Sequence, residues 1–171
     1  MLKIAITSPS LDVRDNVSGI ANHTRLVIST NANIKYEHVS IGRKDSQKRD
    51  LRWILRQAYT VANFLRKIRG VDLVHLNIPL AKFSIFINLV LACCCRIAGK
   101  AFIAHFRGGE LSLVNNHTTF QRFAISSFLK TASSVIVLGE KEKSFYVDYY
   151  SDAIKSEIYV LPNAVKVLKL D

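Results

Sequence analysis

The sequence predicts an α/β fold in which a parallel sheet carries helices on both faces. Apolar runs of strand length alternate with segments of helical period from the first residues to the last. Most of those runs are short and rich in Val, Ile, Leu or Ala, as expected of strands covered on both sides. The scale fits one packed domain spanning 1–171: 49% of the residues are hydrophobic and 22% charged, and no repeat, low-complexity stretch or Pro- or Ser-rich linker divides the chain.

Strands are predicted at Leu2 to Thr7, Tyr36 to Ile41, Leu73 to Leu76, Ala101 to His105, Val135 to Leu138 and Ile158 to Leu161. Helices fall between them at Ile20 to Ser29, Asp50 to Arg69, Lys82 to Ala98, Thr119 to Thr131 and Lys141 to Tyr150. In the second helix Leu51, Ile54, Leu55, Ala58, Ala62, Leu65 and Ile68 form an apolar stripe, with Arg49, Arg52, Arg56, Asn63 and Lys67 on the other side. A basic amphipathic helix of this kind can lie against anionic lipid head groups.

With 24 Lys and Arg against 13 Asp and Glu, the net charge is +11, so the surface attracts anions. Nucleic acid is disfavoured as the partner, because no zinc-finger spacing, aromatic RNP-type strand or basic zipper accompanies the charge. Cys93, Cys94 and Cys95 are consecutive and point in different directions on a helix, which rules out a shared metal or an ordinary disulfide framework. They read as buried small hydrophobes in a reducing cytoplasm. The first apolar run is far shorter than a signal-peptide core. The uncharged stretch from Phe83 to Cys95 is closed by Lys82 and Arg96 and falls short of the roughly 20 residues a spanning helix needs. A cytoplasmic protein is expected, peripheral on the cytoplasmic membrane face if the basic helix docks there.

In such a sheet ligands bind where loops leave the carboxyl ends of the strands. After the first strand, Ser18-Gly19 opens a helix: Gly19 allows a backbone N–H to approach a phosphate where the helix dipole favours negative charge, while Ser18 as an N-cap is a sufficient explanation by itself. His23 follows on the first turns of that helix and could contact an anionic substrate. His75 and Asn77 share one side of the third strand's end, His75 reading equally well as a core histidine. The fourth strand ends in His105-Phe106-Arg107-Gly108-Gly109: an imidazole suited to a sugar hydroxyl, a guanidinium suited to phosphate or carboxylate, and a flexible Gly pair. No paired carboxylates in a hydrolase setting, Gly-x-Ser-x-Gly elbow or Walker-type loop occurs, which disfavours those chemistries.

Taken in order, six segments resemble the N-terminal Rossmann-like domain of GT-B-fold glycosyltransferases, specifically the retaining enzymes of family four. They are Lys3-Ile4-Ala5-Ile6, Ser18-Gly19-Ile20-Ala21-Asn22-His23, Asp72-Leu73-Val74-His75-Leu76-Asn77, Ala104-His105-Phe106-Arg107-Gly108, Val135-Ile136-Val137-Leu138-Gly139-Glu140 and Val160-Leu161-Pro162-Asn163-Ala164-Val165. The chain departs from the family at Ser18 in its glycine pair, at Asn77 in its His-x-His strand end, at Gly139 in its Ser-Glu pair and at Ala164 in its Asn-Gly turn.

The resemblance implies one half of a GT-B architecture, the acceptor side, with the donor-binding domain expected outside these residues or in a separate subunit. It implies sugar transfer from a nucleotide-sugar donor to a glycan or lipid-linked acceptor, as in surface polysaccharide or lipopolysaccharide synthesis. No cofactor or metal is implied beyond the nucleotide-sugar co-substrate. His105 would be the catalytic His at the sugar, Ser18 and Gly19 would lie near the donor diphosphate, and His23, His75, Asn77, Arg107 and Asn163 would shape the sugar or acceptor site. Two other expectations compete: a truncated remnant or subunit inactive without a donor-binding partner, and a generic single-domain nucleotide binder.

Overall fold

A computed structural model describes residues 1–16, 18–42, 51–107 and 117–163. Of the positions discussed above, Arg49, Asp50, Gly108, Gly109, Ala164 and Val165, with the side chains of Leu51, Arg52, Ile54, Arg56 and Lys82, lie outside the described residues.

Six strands form one parallel sheet: β1 (Leu2–Ser8), β2 (Ile34–Ser40), β3 (Leu73–Pro79), β4 (Phe102–Arg107), β5 (Ser134–Val137) and β6 (Ile158–Val160), in the order β2-β1-β3-β4-β5-β6. Between them run α1 (Gly19–Thr30), α2 (Leu51–Ile68), α3 (Lys82–Ile97), α4 (Thr119–Thr131) and α5 (Glu140–Tyr150), with a 3₁₀ turn at Ser151–Ala153 before β6. This is a Rossmann-like domain. The strand order changes direction once: the chain steps from β1 outward to β2, then crosses back to β3 and onward. With right-handed crossovers, that reversal puts α1 on one face and α2 to α5 on the other, and opens a crevice at the carboxyl ends of β1 and β3.

The side chains agree with this division. His105 and Phe106 are consecutive on β4 and point to opposite faces. His105 meets His23 of α1, and Phe106 meets Phe128 of α4 and Tyr146 of α5. On the α2–α5 face Val74, Leu76, Ile78, Phe102, Ala104 and Phe106 are buried against Phe64, Ile68, Ile85, Leu91, Phe128 and Leu129. Ile4, Ile6 and Ala21 are buried outside that cluster, on the α1 side. Each large apolar side chain so buried contributes about 1.5–3 kcal/mol.

Local chemistry sets the helix ends. Ser18 caps α1 by accepting from the Ala21 N–H. Thr118 and Gln121 form a reciprocal capping box at α4, and the Gln121 amide also donates to the Leu80 carbonyl, fixing the helix start against the end of β3. Gly99, at φ +63, ends α3 in the left-handed conformation that glycine adopts without strain.

Three expectations need correction. The buried side of α2 carries Gln57, Phe64 and Ile68, whereas Leu55, Ala58 and Ala62 of the predicted stripe are exposed. The helix has apolar residues on two faces, and the bulkier Phe64 goes to the core. Cys93 is exposed while Cys94 and Cys95 are buried, since successive helical positions turn by about 100°. β2 is an edge strand with Val39 its single fully buried side chain, so it lacks the two-sided cover of the inner strands.

Phe106→Ala deletes a buried ring packed on two others, which costs about 3–5 kcal/mol. Thermal unfolding of the variant is expected well below wild type.

Candidate functional site

β3 and β4 lie side by side with Asn77 paired to His105 and Pro79 to Arg107. Strand alternation therefore sends His75, Asn77, His105 and Arg107 to one face, the one covered by α1. Hydrogen bonds join His75 to His105 and Arg107 to Asn77 and Asn163, and His23 packs on His105.

Arg107 is the hub. Its Nε donates to Asn77 Oδ1 at 2.8 Å and its Nη1 to Asn163 Oδ1 at 2.9 Å, linking β3, β4 and the segment that follows β6. Asn77 is held in turn by β1: its Nδ2 donates to the Thr7 carbonyl at 2.7 Å and its backbone N–H to Thr7 Oγ1 at 3.0 Å. Asn77 thus has both ends of its amide engaged. Thr7 was read in the sequence merely as the end of a strand. Its hydroxyl is a short polar group at the last buried turn of β1, a signal the composition of the strand does contain.

The imidazoles form the second layer. His75 Nε2 and His105 Nδ1 share a hydrogen bond at 3.0 Å with the rings stacked, and His23 meets the His105 ring edge-on at 5.9 Å between centroids. All three are held neutral. Burial, reinforced by the Arg107 charge, lowers His23 to about 4, His75 to about 3 and His105 to about 2. Burial also lowers Arg107, but only to about 10, so it stays cationic at neutral pH.

His23 Nδ1 and Nε2, His105 Nε2 and Arg107 Nη2 are buried and have no hydrogen-bond partner among the described residues. Buried polar atoms in native proteins are ordinarily paired, so such a group of orphans asks for a ligand or ordered water. No carboxylate pairs with Arg107 among the described residues.

Ser18 and Gly19 stand at the start of α1, which has no acidic residue in its first turn to neutralise the dipole. A Cβ placed on Gly19 would meet nothing within 4 Å, so neither packing nor backbone conformation requires glycine there. The space above it is open. Among the described residues no group of three or more His, Cys, Asp or Glu is arranged to hold a metal ion.

No protein family and no curated protein matches the sequence. Among solved structures the chain is similar to an NADH:FMN oxidoreductase in its apo form, 13% identical, over 90% of this chain and 84% of that one, with a TM-score of 0.44. A likeness that distant does not bear on ligand or chemistry.

Because the three imidazoles titrate far below the usual 6.5 when folded, the unfolded chain takes up protons that the folded chain refuses as pH falls through 6.5. Their contribution to stability is full above about pH 6.5 and is lost towards pH 4. Melting temperatures measured between pH 7.5 and 4.5 are expected to drop, and His105→Gln to make the drop shallower; parallel profiles for the two proteins would contradict the neutral cluster.

Proposed function

We propose that this chain is the acceptor-side half of a sugar-nucleotide-dependent glycosyltransferase, transferring sugar to a glycan or lipid-linked acceptor. The observation that carries the reading is the buried Arg107 cation, with no carboxylate partner among the described residues, beside neutral imidazoles of which His23 Nδ1 and Nε2 and His105 Nε2 are buried without a partner there. A sugar diphosphate offers what these groups lack: anionic oxygens for the guanidinium and hydroxyls for the imidazoles. The order of motifs shared with family-four enzymes supports the same substrate class.

In the reaction, the bond from the anomeric carbon to the diphosphate oxygen breaks, an acceptor hydroxyl forms the new glycosidic bond, and its proton leaves with the departing diphosphate or to solvent. His105 contacts the sugar through Nε2, and Arg107 offsets the negative charge developing on the leaving group. Ser18 and Gly19 present the start of α1 to a phosphate, and His23 lies beside them. His75, Asn77 and Asn163 already hold His105 and Arg107, so they act as positioning residues. The nucleotide pocket itself belongs, in this reading, to a second domain or a separate subunit.

A membrane surface is the setting we infer for the acceptor. No helix among the described residues is long and apolar enough to cross a membrane. The support is instead the +11 charge together with exposed Leu55 and Tyr59 on α2 and exposed Phe83, Phe86, Phe120 and Phe123 at the starts of α3 and α4. Wild-type protein is expected to pellet with anionic vesicles at low salt and to be released at high salt; a supernatant fraction unchanged by vesicles would remove the membrane from the account.

Extract from source cells lacking this chain, supplied with labelled nucleotide sugars, is expected to regain label in glycan when wild-type protein is added and not when His105→Ala is added. Equal recovery with both would overturn the role of His105. Gly19→Ala is expected to fold at least as stably as wild type, since Gly→Ala at a compatible site gains about 0.4–1 kcal/mol, yet to restore less label because the added methyl fills the space over the helix start.

A further inference from the structure

Beside the histidine–arginine cluster, at the same end of the sheet, lies a cleft of about 160 Å³. It is bounded by the segments after β1 and β2, the end of β3, and the first turns of α1 and α3. Ile20, Ile41, Pro79, Phe83 and Ile87 form its apolar walls, and its polar lining consists of Asn77, Ser84, Asn88 and Gln57. No Lys, Arg, His, Asp or Glu among the described residues lines it, although the protein as a whole carries +11.

Asn88 sits within an otherwise apolar stretch of α3 and is 1% exposed. Its Nδ2 donates to the Ser84 carbonyl at 2.9 Å, but its Oδ1 is buried without a hydrogen-bond partner among the described residues. A buried amide oxygen left unpaired in a core helix is costly, and a hydrophobic residue there would avoid the cost. Asn77 differs: both ends of its amide are committed, to Thr7 and to Arg107. It forms a wall that the cleft shares with the Arg107 cluster, so a molecule filling the cleft abuts that cluster.

We propose that this cleft is a binding site for an uncharged ligand with an apolar body and a hydroxyl or amide N–H that donates to Asn88 Oδ1. Among the described residues, an anion entering the cleft would lose its water shell with no lining cation to replace it, and a cation would find no carboxylate. An alkyl or aryl group bearing a hydroxyl matches both the walls and the open acceptor at Asn88. Calling this ligand the sugar acceptor rests on the glycosyltransferase reading above; the binding site itself does not. In that case the cleft holds the neutral part of the acceptor and the cluster next door holds the anionic donor group.

The test titrates the full 171-residue chain with n-hexyl β-D-glucoside, below its micellar range, and with n-hexyl phosphate, following amide shifts by NMR. The glucoside is expected to bind saturably and the phosphate at least about tenfold more weakly, the size of effect expected for a charge desolvated without a partner. Asn88→Leu is expected to melt no lower than wild type, because it removes an orphaned polar group, and to bind the glucoside about tenfold more weakly. Ile87→Trp fills the cleft and is expected to abolish binding. Phosphate binding as tight as glucoside binding, or glucoside binding untouched in Asn88→Leu, overturns the proposal. No donor or partner is needed for these titrations. Failure of sugar transfer therefore leaves the site standing, while transfer by a protein that ignores the glucoside overturns the site alone.

Discussion

A guanidinium that remains charged at 4% exposure is the constraint around which the carboxyl end of this sheet is arranged. Removing a cation from water is expensive unless its donors are met. Here Nε and Nη1 are met by two amide oxygens, from Asn77 and Asn163, while Nη2 has no partner and no carboxylate pairs with the group among the described residues. Neutral oxygens satisfy hydrogen bonds without cancelling the charge. What remains is a positive potential in a place from which water is largely excluded, and that potential together with burial keeps three neighbouring imidazoles uncharged. An ion pair at Arg107 would have consumed this potential; two asparagines leave it in place.

The same residue joins parts of the chain that the sheet alone would leave loosely related. Through Asn77 it reaches Thr7 on β1, and through Asn163 it reaches the segment beyond β6. The crevice at the point where the strand order reverses is thus stitched from three places in the sequence. Asn77 also faces the apolar cleft, so a charged compartment and an uncharged one share one side chain as their partition.

Much of this was legible in the sequence. Strand-length apolar runs alternating with helical segments located the six strands and five α-helices of the described residues, because each element buries a face whose period survives in the residue order. His105 and Arg107 stood out because the two fall on one face of a strand that ends at the expected rim. What the sequence did not show was pairing at a distance: nothing in the order of residues says that Arg107 bonds Asn163, 56 positions away. The α2 stripe was misread because two faces of that helix carry apolar residues, and only packing decides that Phe64 and not Leu55 turns inward. Asn88 does not stand out within an uncharged segment, because the sequence does not show that its Oδ1 is buried without a partner among the described residues.

Histidine side-chain ¹⁵N NMR with inorganic pyrophosphate added to the intact chain bears most directly on the central claim. If Arg107 is an unmatched cation awaiting a phosphate, pyrophosphate will shift the His105 and His23 ring nitrogens saturably and raise the pH at which they protonate, since an anion at the guanidinium cancels the charge that reinforces burial in keeping them neutral. Shifts confined to the histidines outside the cluster, His38 and His117, with His105 and His23 unmoved at saturating pyrophosphate, would contradict it.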